Sequence, residues 1–213
     1  MDSVTLAYFL SETHQGEELL LVSFDYGQRH RKELSYAEEC ARALKARWML
    51  VPLNITHLLE GSALTDMRVD VPLGHYASES MKQTVVPNRN MVMLSLATAI
   101  AVTQKAHTVY AAMHAGDHAI YPDCRPEFIE SVSETAKLAT EGFARPGFCI
   151  AAPFVNKTKT DICKIGHTLN VPWEQTWSCY KGELWHCGKC GTCVERKEAF
   201  EEAGLTDPTI YSE

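Results

Sequence analysis

The chain has 213 residues. That is enough for one domain with a sizeable core, since a chain near 150 residues already hides about 68–70% of its unfolded surface. A composition of 46% hydrophobic, 22% charged and 9% aromatic residues excludes collagen-like, low-complexity and disordered chains. Lys plus Arg is 20 and Asp plus Glu is 27, a net charge of −7 that suits neither bulk DNA nor RNA as a partner. No apolar run approaches the ~18–20 residues that span a bilayer, so neither nucleic acid nor membrane is expected as a partner.

Met1 to Leu10 carries no basic n-region and no cleavage signal, so it is not a secretory peptide. It reads as a helix starting at the first residue. Asp2 or Ser3 would cap it, and Val4, Leu6, Ala7, Phe9 and Leu10 would pack. Leu19 to Phe24 is a continuous apolar run between turn residues and reads as a buried parallel strand. Arg31 to Arg47 is amphipathic, with Leu34, Ala37, Ala41 and Leu44 at helical spacing. Trp48 to Leu53 is a second strand. Residues 61 to 86 are polar and broken by Gly61, Pro72 and Gly74, and so long an irregular stretch is commonly functional. Asn90 to Ala106 is a helix apolar nearly all round, expected to be buried.

Thr108 to Met113 is a third strand, His114 to Arg125 a loop, and Pro126 suits the first turn of a helix running to about Thr140. Phe148 to Ala151 is a fourth strand. Thr158 or Thr160 caps a helix reaching Leu169, and Glu195 to Ala203 closes the chain as a helix. Alternating strands and helices imply βαβ units and a doubly wound, mostly parallel α/β sheet, with ligands beyond the carboxyl ends of the strands. The loops to watch are 25–30, 61–90, 114–125 and 153–159.

Eight cysteines without a secretory peptide argue against a disulfide framework. Cys40, Cys124, Cys149 and Cys163 are scattered and read as small core residues. Cys179, Cys187, Cys190 and Cys193 lie within fifteen residues, with Gly188, Lys189 and Gly191 supplying the turns. Four thiolates saturate a tetrahedral Zn²⁺ and leave no position for water, which predicts a structural metal. An iron–sulfur cluster is the rival reading, because C-x2-C-x2-C also matches ferredoxin spacing; four free thiols are the plain one. His186 reads as a neighbour of the cluster and not a ligand.

Four ordered motifs carry a family resemblance. They are Phe24-Asp25-Tyr26-Gly27-Gln28-Arg29-His30, Val86-Pro87-Asn88-Arg89-Asn90, Tyr121-Pro122-Asp123-Cys124-Arg125-Pro126-Glu127-Phe128, and Ser178-Cys179-Tyr180 with His186 to Phe200. Together they resemble the 7-cyano-7-deazaguanine synthase family of PP-loop ATP pyrophosphatases, over residues 1 to about 200. The resemblance implies an adenine nucleotide alpha hydrolase-like, Rossmann-like fold. It divides the chain into a nucleotide-binding part, 1–175, and a zinc-binding segment with its helix, 176–213, packed on the same domain. It further implies a cytoplasmic homodimeric ligase that turns 7-carboxy-7-deazaguanine and ammonia into the nitrile through adenylated intermediates, using ATP with Mg²⁺.

The family's nucleotide loop reads Ser-Gly-Gly-x-Asp-Ser after the first strand, whereas this chain opens Met1-Asp2-Ser3. The expectation is therefore an N-terminally truncated PP-loop, with a helix end but no glycine cradle, and weakened catalysis. By motif match Met1, Asp2, Ser3, Val4, Thr5, Leu6 and Ala7 form the nucleotide segment, and Asp2, Ser3, Lys157, Arg89 and Asp123 are the candidate catalytic residues. Lys157 reads equally as a solvated surface lysine. Asp25 is either a ribose or Mg²⁺ contact or a turn residue. Asp117, Asp123, Arg125 and Tyr121 are the substrate-binding candidates, a carboxylate being needed by the N1–H and 2-amino group of a deazaguanine. An Asp123–Arg125 ion pair is the structural alternative. Glu127 could serve as such an acid, and Phe128, Trp177 and Tyr180 could stack or simply pack. His114 and His118 could move protons or be passive. Two other readings compete: a zinc-stabilised binding domain without catalysis, and a PP-loop ligase with another acceptor, such as tRNA thiolation, for which Cys124 would be the available thiol.

Overall fold

A computed structural model describes residues 1–76 and 79–212. In chain order the elements are α1 (Asp2–Thr13), β1 (Leu20–Asp25), α2 (Lys32–Ala43), β2 (Arg47–Pro52), α3 (Arg89–Thr103), β3 (Thr108–Tyr110), α4 (Pro126–Ala139), β4 (Cys149–Ala151), α5 (Lys159–Thr168) and α6 (Gly191–Ala203). They fall into two compact units. One contains Met1–Val86 and Lys159–Glu213, the other Pro87–Thr158.

In the first unit β1 and β2 are parallel, in register from Leu20 opposite Arg47 to Asp25 opposite Pro52. Parallel neighbours need a crossover, and α2 supplies it. Helices α1, α2, α5 and α6 share a core of Val4, Ala7, Cys40, Cys163, Trp173 and Phe200. Burial pushes the thiols of Cys40 and Cys163 up to about 11, as expected of small core residues. In the second unit β3 and β4 are parallel, Thr108 opposite Cys149 and Tyr110 opposite Ala151, with α4 as the crossover. The parallel α/β architecture read from the alternation is thus present, as two strand–helix–strand pairs. Among the described residues no helix is long and apolar enough to cross a membrane.

Four local expectations change. Neither Asp2 nor Ser3 caps α1: Met1 holds the N-cap position, and Asp2 lies inside the first turn. An acidic residue there still suits the positive end of the helix. β1 is half-buried throughout, because β2 is its one paired neighbour among the described residues. α3 is buried along one stripe, Asn90, Leu94, Thr98 and Ala101, not all round. That spacing is a single helix face, so its apolar composition exceeds what its unit covers. α6 begins at Gly191, four residues earlier than expected, because the last pair of cysteines lies in its first turn. The irregular stretch from Gly61 is broken by a 3-10 helix, Glu79–Thr84, and its residues 77 and 78 lie outside the described residues.

Arg196 fastens α6 to the C-terminal tail. Its side chain is fully buried and donates to Trp173 O at 3.0 Å, to Thr176 Oγ1 at 2.6 Å and to the Asp207 carboxylate at 3.1 Å. Burial alone would raise the Asp207 carboxyl. The bonds and charge of Arg196, with the Tyr211 hydroxyl and Thr209 N–H, outweigh it and hold the group below the usual carboxylate range. A folded-state value below the unfolded one adds stability above about pH 4 and loses it as pH falls further. Asp207→Asn strands the buried guanidinium and should cost about 3–5 kcal/mol in urea unfolding at neutral pH. The variant's stability should also fall less steeply than wild type below about pH 4.

Candidate functional site

The four clustered cysteines converge. All are buried, and their sulfurs lie within 4.8 Å of one another. A zinc ion about 2.3 Å from each sulfur needs S···S separations of roughly 3.8 Å, so the set fits a single tetrahedral ion. An iron–sulfur cluster, whose own iron and sulfide atoms must stand between the ligands, would hold them farther apart. Cys187 N donates to Cys179 Sγ at 3.4 Å and Cys190 N to Cys187 Sγ at 3.3 Å. Hydrogen bonds among the sulfurs lower the Cys187 thiol, and they bring Cys190 down to about 6 while raising Cys179 and Cys193. Metal ligation requires thiolates, so binding an ion here would release protons. Cys190 caps α6 and bridges to Leu73, and Cys193 lies in the helix's first turn. A zinc bound by all four would leave no position for water, and its contribution would be to hold this turn in place.

The residues around the cluster serve packing. His186 Nε2 accepts from Ser178 N at 3.1 Å, and its ring lies 4.2 Å from Trp177. Burial, with Arg196 nearby, brings it down to about 4, so it is neutral and stands beside the cluster, outside the ligand set. Trp177 Nε1 donates to Cys179 O at 2.8 Å, and Tyr180 packs against His30. The loop between Cys179 and Cys187 rests on the turn that follows β1. Gly182, at φ +70, is required there, because a Cβ would stand 2.8 Å from Arg29 O. Lys32 Nζ pins the same loop by donating to Leu184 O at 2.6 Å and sits over the Trp177 ring. Asp25 accepts from Gly27 N and pairs with Arg31, as a turn residue does.

At the start of α1, Val4, Thr5, Leu6 and Ala7 are buried with Met1, while Ser3 is exposed and Asp2 half-buried. Lys157 is exposed. The lysine that meets Asp2 is Lys159, the first residue of α5, with Nζ 2.7 Å from Asp2 Oδ2 and 3.2 Å from Glu195 Oε2. Sequence reading passed over Lys159 and Glu195.

In the second unit the substrate candidates are held by local bonds. Asp123 Oδ2 accepts from Asn90 N at 3.1 Å, one of the N–H groups that a helix start leaves unsatisfied. Asn90 Nδ2 reaches Asp123 O and Cys124 Sγ, each at 3.2 Å. Asp117 Oδ2 accepts from His114 N, and His114 Nδ1 accepts from Gly116 N. Tyr121 is buried, Arg89 half-buried and Glu127 exposed. The Nε2 atom of His118 is buried without a hydrogen-bond partner. Arg125 donates to His118 O at 2.9 Å, and no ion pair joins it to Asp123 among the described residues. Burial, reinforced by Asp117 and Asp123, raises the Cys124 thiol far above its ordinary value.

Metal analysis of the purified chain should find one zinc. Cys190→Ser should lose it and lower the melting temperature by several degrees, since a ~1 kcal/mol loss shifts a domain of this size by roughly 2–4 °C. Iron in place of zinc, or full stability without metal, would contradict this assignment.

The sequence profile of the family described as "Queuosine biosynthesis protein QueC" matches residues 1–204. A 7-cyano-7-deazaguanine synthase from Sinorhizobium fredii is 53% identical over 214 aligned positions, covering 100% of this chain and 89% of that protein. One from Brucella ovis is 52% identical, covering 100% of this chain and 90% of that protein. Among solved structures, the U34-tRNA thiolase NcsA from Methanococcus maripaludis with its [4Fe-4S] cluster matches with a TM-score of 0.48 and 11% identity, over 96% of this chain and 69% of that one, a likeness too slight to bear on fold or chemistry. With a family profile spanning nearly its whole length and relatives identical at every second residue, the chain belongs to the QueC family of queuosine biosynthesis proteins.

Proposed function

We propose that the chain is an ATP-dependent C–N ligase that converts 7-carboxy-7-deazaguanine and ammonia to 7-cyano-7-deazaguanine for queuosine biosynthesis, working in the cytoplasm as a homodimer. The observation that carries the reading is identity above 50% to 7-cyano-7-deazaguanine synthases across the whole chain.

The chemistry sets the requirements. A carboxylate is a poor electrophile, so its oxygen first displaces pyrophosphate from ATP to give an acyl-adenylate. Ammonia then expels AMP and leaves the amide. A second ATP adenylates the amide oxygen, and loss of AMP with two protons from nitrogen gives the nitrile. Pyrophosphate departure needs cations and N–H donors. Residues 1–175 supply these in this reading, and residues 176–213 hold the metal. The first turn of α1, with half-buried Asp2 and exposed Ser3, is the part read as meeting the phosphates. Val4 to Ala7 support that turn from the core, and Lys159, paired with Asp2, is the candidate cation beside it in place of the exposed Lys157. In the second unit Arg89 is a further candidate cation. The deazaguanine is read by Asp117 and Asp123, whose carboxylates already accept N–H bonds, with Tyr121 and Arg125 beside them.

Sulfur transfer is the less suitable alternative. A nucleophilic or sulfur-carrying cysteine must ionise, and burial opposes that at Cys124. Incubation with 7-carboxy-7-deazaguanine, ammonium and Mg–ATP should yield AMP, pyrophosphate and the nitrile by mass spectrometry. Asp2→Asn should lower the rate at least tenfold (about 1.4 kcal/mol of barrier). Cys124→Ser should retain activity within about threefold, and its abolition would instead favour a thiol mechanism.

A further inference from the structure

Asn90, in the first turn of α3, holds a second segment of its own unit by both main chain and side chain. Its backbone N–H donates to Asp123 Oδ2 at 3.1 Å. Its Nδ2 donates to Asp123 O and to Cys124 Sγ, each at 3.2 Å. Its Oδ1 accepts from Arg89 Nε at 3.4 Å. The residue is 8% exposed, so water cannot readily replace these bonds. A helix start asks only for an acceptor for its free N–H groups, and the Asp123 carboxylate is one. The amide does something else. It donates into the turn Pro122–Cys124 and fixes the backbone from which the Asp123 side chain leaves.

Asp123 is thus held at its carbonyl and at one carboxylate oxygen. Among the described residues no hydrogen bond or ion pair reaches the other, Oδ1, and the residue is half-buried. Oδ2 also keeps a second lone pair. Two acceptors side by side match two donors side by side, as on the N1–H and 2-amino edge of a guanine-like base. Burial raises the Cys124 thiol, and the charges of Asp117, Asp123 and Arg89 also act on it, which places all three near this turn. We propose that Asn90 is a positioning residue for base recognition. It locks the turn that carries Asp123, so that the carboxylate meets the N1–H and 2-amino edge of the deazaguanine in one orientation. The proposal rests on the reading of Asp123 as an acid that receives the base.

The test is calorimetric titration of two ligands into the metal-loaded full chain without ATP. They are 7-carboxy-7-deazaguanine and its analogue lacking the 2-amino group. Wild type should bind the first about thirtyfold tighter, because the analogue gives up a hydrogen bond to a charged acceptor. Asn90→Ala keeps the backbone N–H and removes the amide, and it should lower that preference about tenfold. Asp123→Ala should lower it too. Adding Asn90→Ala to Asp123→Ala should change the preference less than about twofold, because no carboxylate is left to orient. Should Asn90→Ala fail to fold, Asn90→Leu, closer in size to the native side chain, is read in its place, and failure of both makes the residue structural and overturns the proposal. An unchanged preference in Asn90→Ala overturns it as well, even where both affinities fall together. So does a tenfold fall that persists in the Asp123→Ala background. A wild-type chain that binds neither ligand, or both alike, defeats the underlying reading, as does a wild-type preference in Asp123→Ala, and the proposal falls with it.

Discussion

Mutual repulsion among four buried sulfurs is the constraint on which the unit containing both chain ends depends. Packed within 4.8 Å, they cannot all ionise without a cation among them. Cys190 holds the N-cap position of α6 and Cys193 lies in its first turn, so an ion bound by the four would tie down the start of the helix. Two consecutive residues of the following turn, Glu195 and Arg196, then diverge. Arg196 turns inward to Trp173, Thr176 and Asp207, while Glu195 reaches Lys159. Lys159 in turn reaches Asp2, so segments far apart in sequence, residues 1–86 and 159–213, are joined by a polar contact as well as by the shared core.

Much of this was legible beforehand. The apolar runs at Leu19–Phe24 and Trp48–Leu53 fall on parallel strands because short uninterrupted runs suit buried sheet and the helix between them suits a crossover. The convergence of the four clustered cysteines followed from spacing, since two thiols three apart in a tight turn can approach one point. Burial was harder. The apolar composition of α3 said nothing of how many elements would cover it, and within its unit one stripe is covered. Lys159 was missed for a related reason. Lys157 and Lys159 carry the same charge in the same segment, and only the start of α5 decides which is held and which projects into water.

The second unit shows polar residues already engaged. Asn88 sits at the α3 N-cap in a left-handed conformation and gives no side-chain cap. Asp123, thirty-three residues later, satisfies the Asn90 N–H instead. A carboxylate at a helix N-terminus gains from the positive end of the dipole, which also keeps it an acceptor.

Close-set sulfurs also set a condition on handling the protein. Cys187 and Cys190 are the two thiols whose ionisation is made easier, and they are neighbours on one turn. While a metal holds their electron pairs, oxidants find little to attack. Once it leaves, the two sulfurs lie close enough for an oxidant to join them as a disulfide. Such a disulfide would occupy two of the four donors and leave too few to close a tetrahedral site.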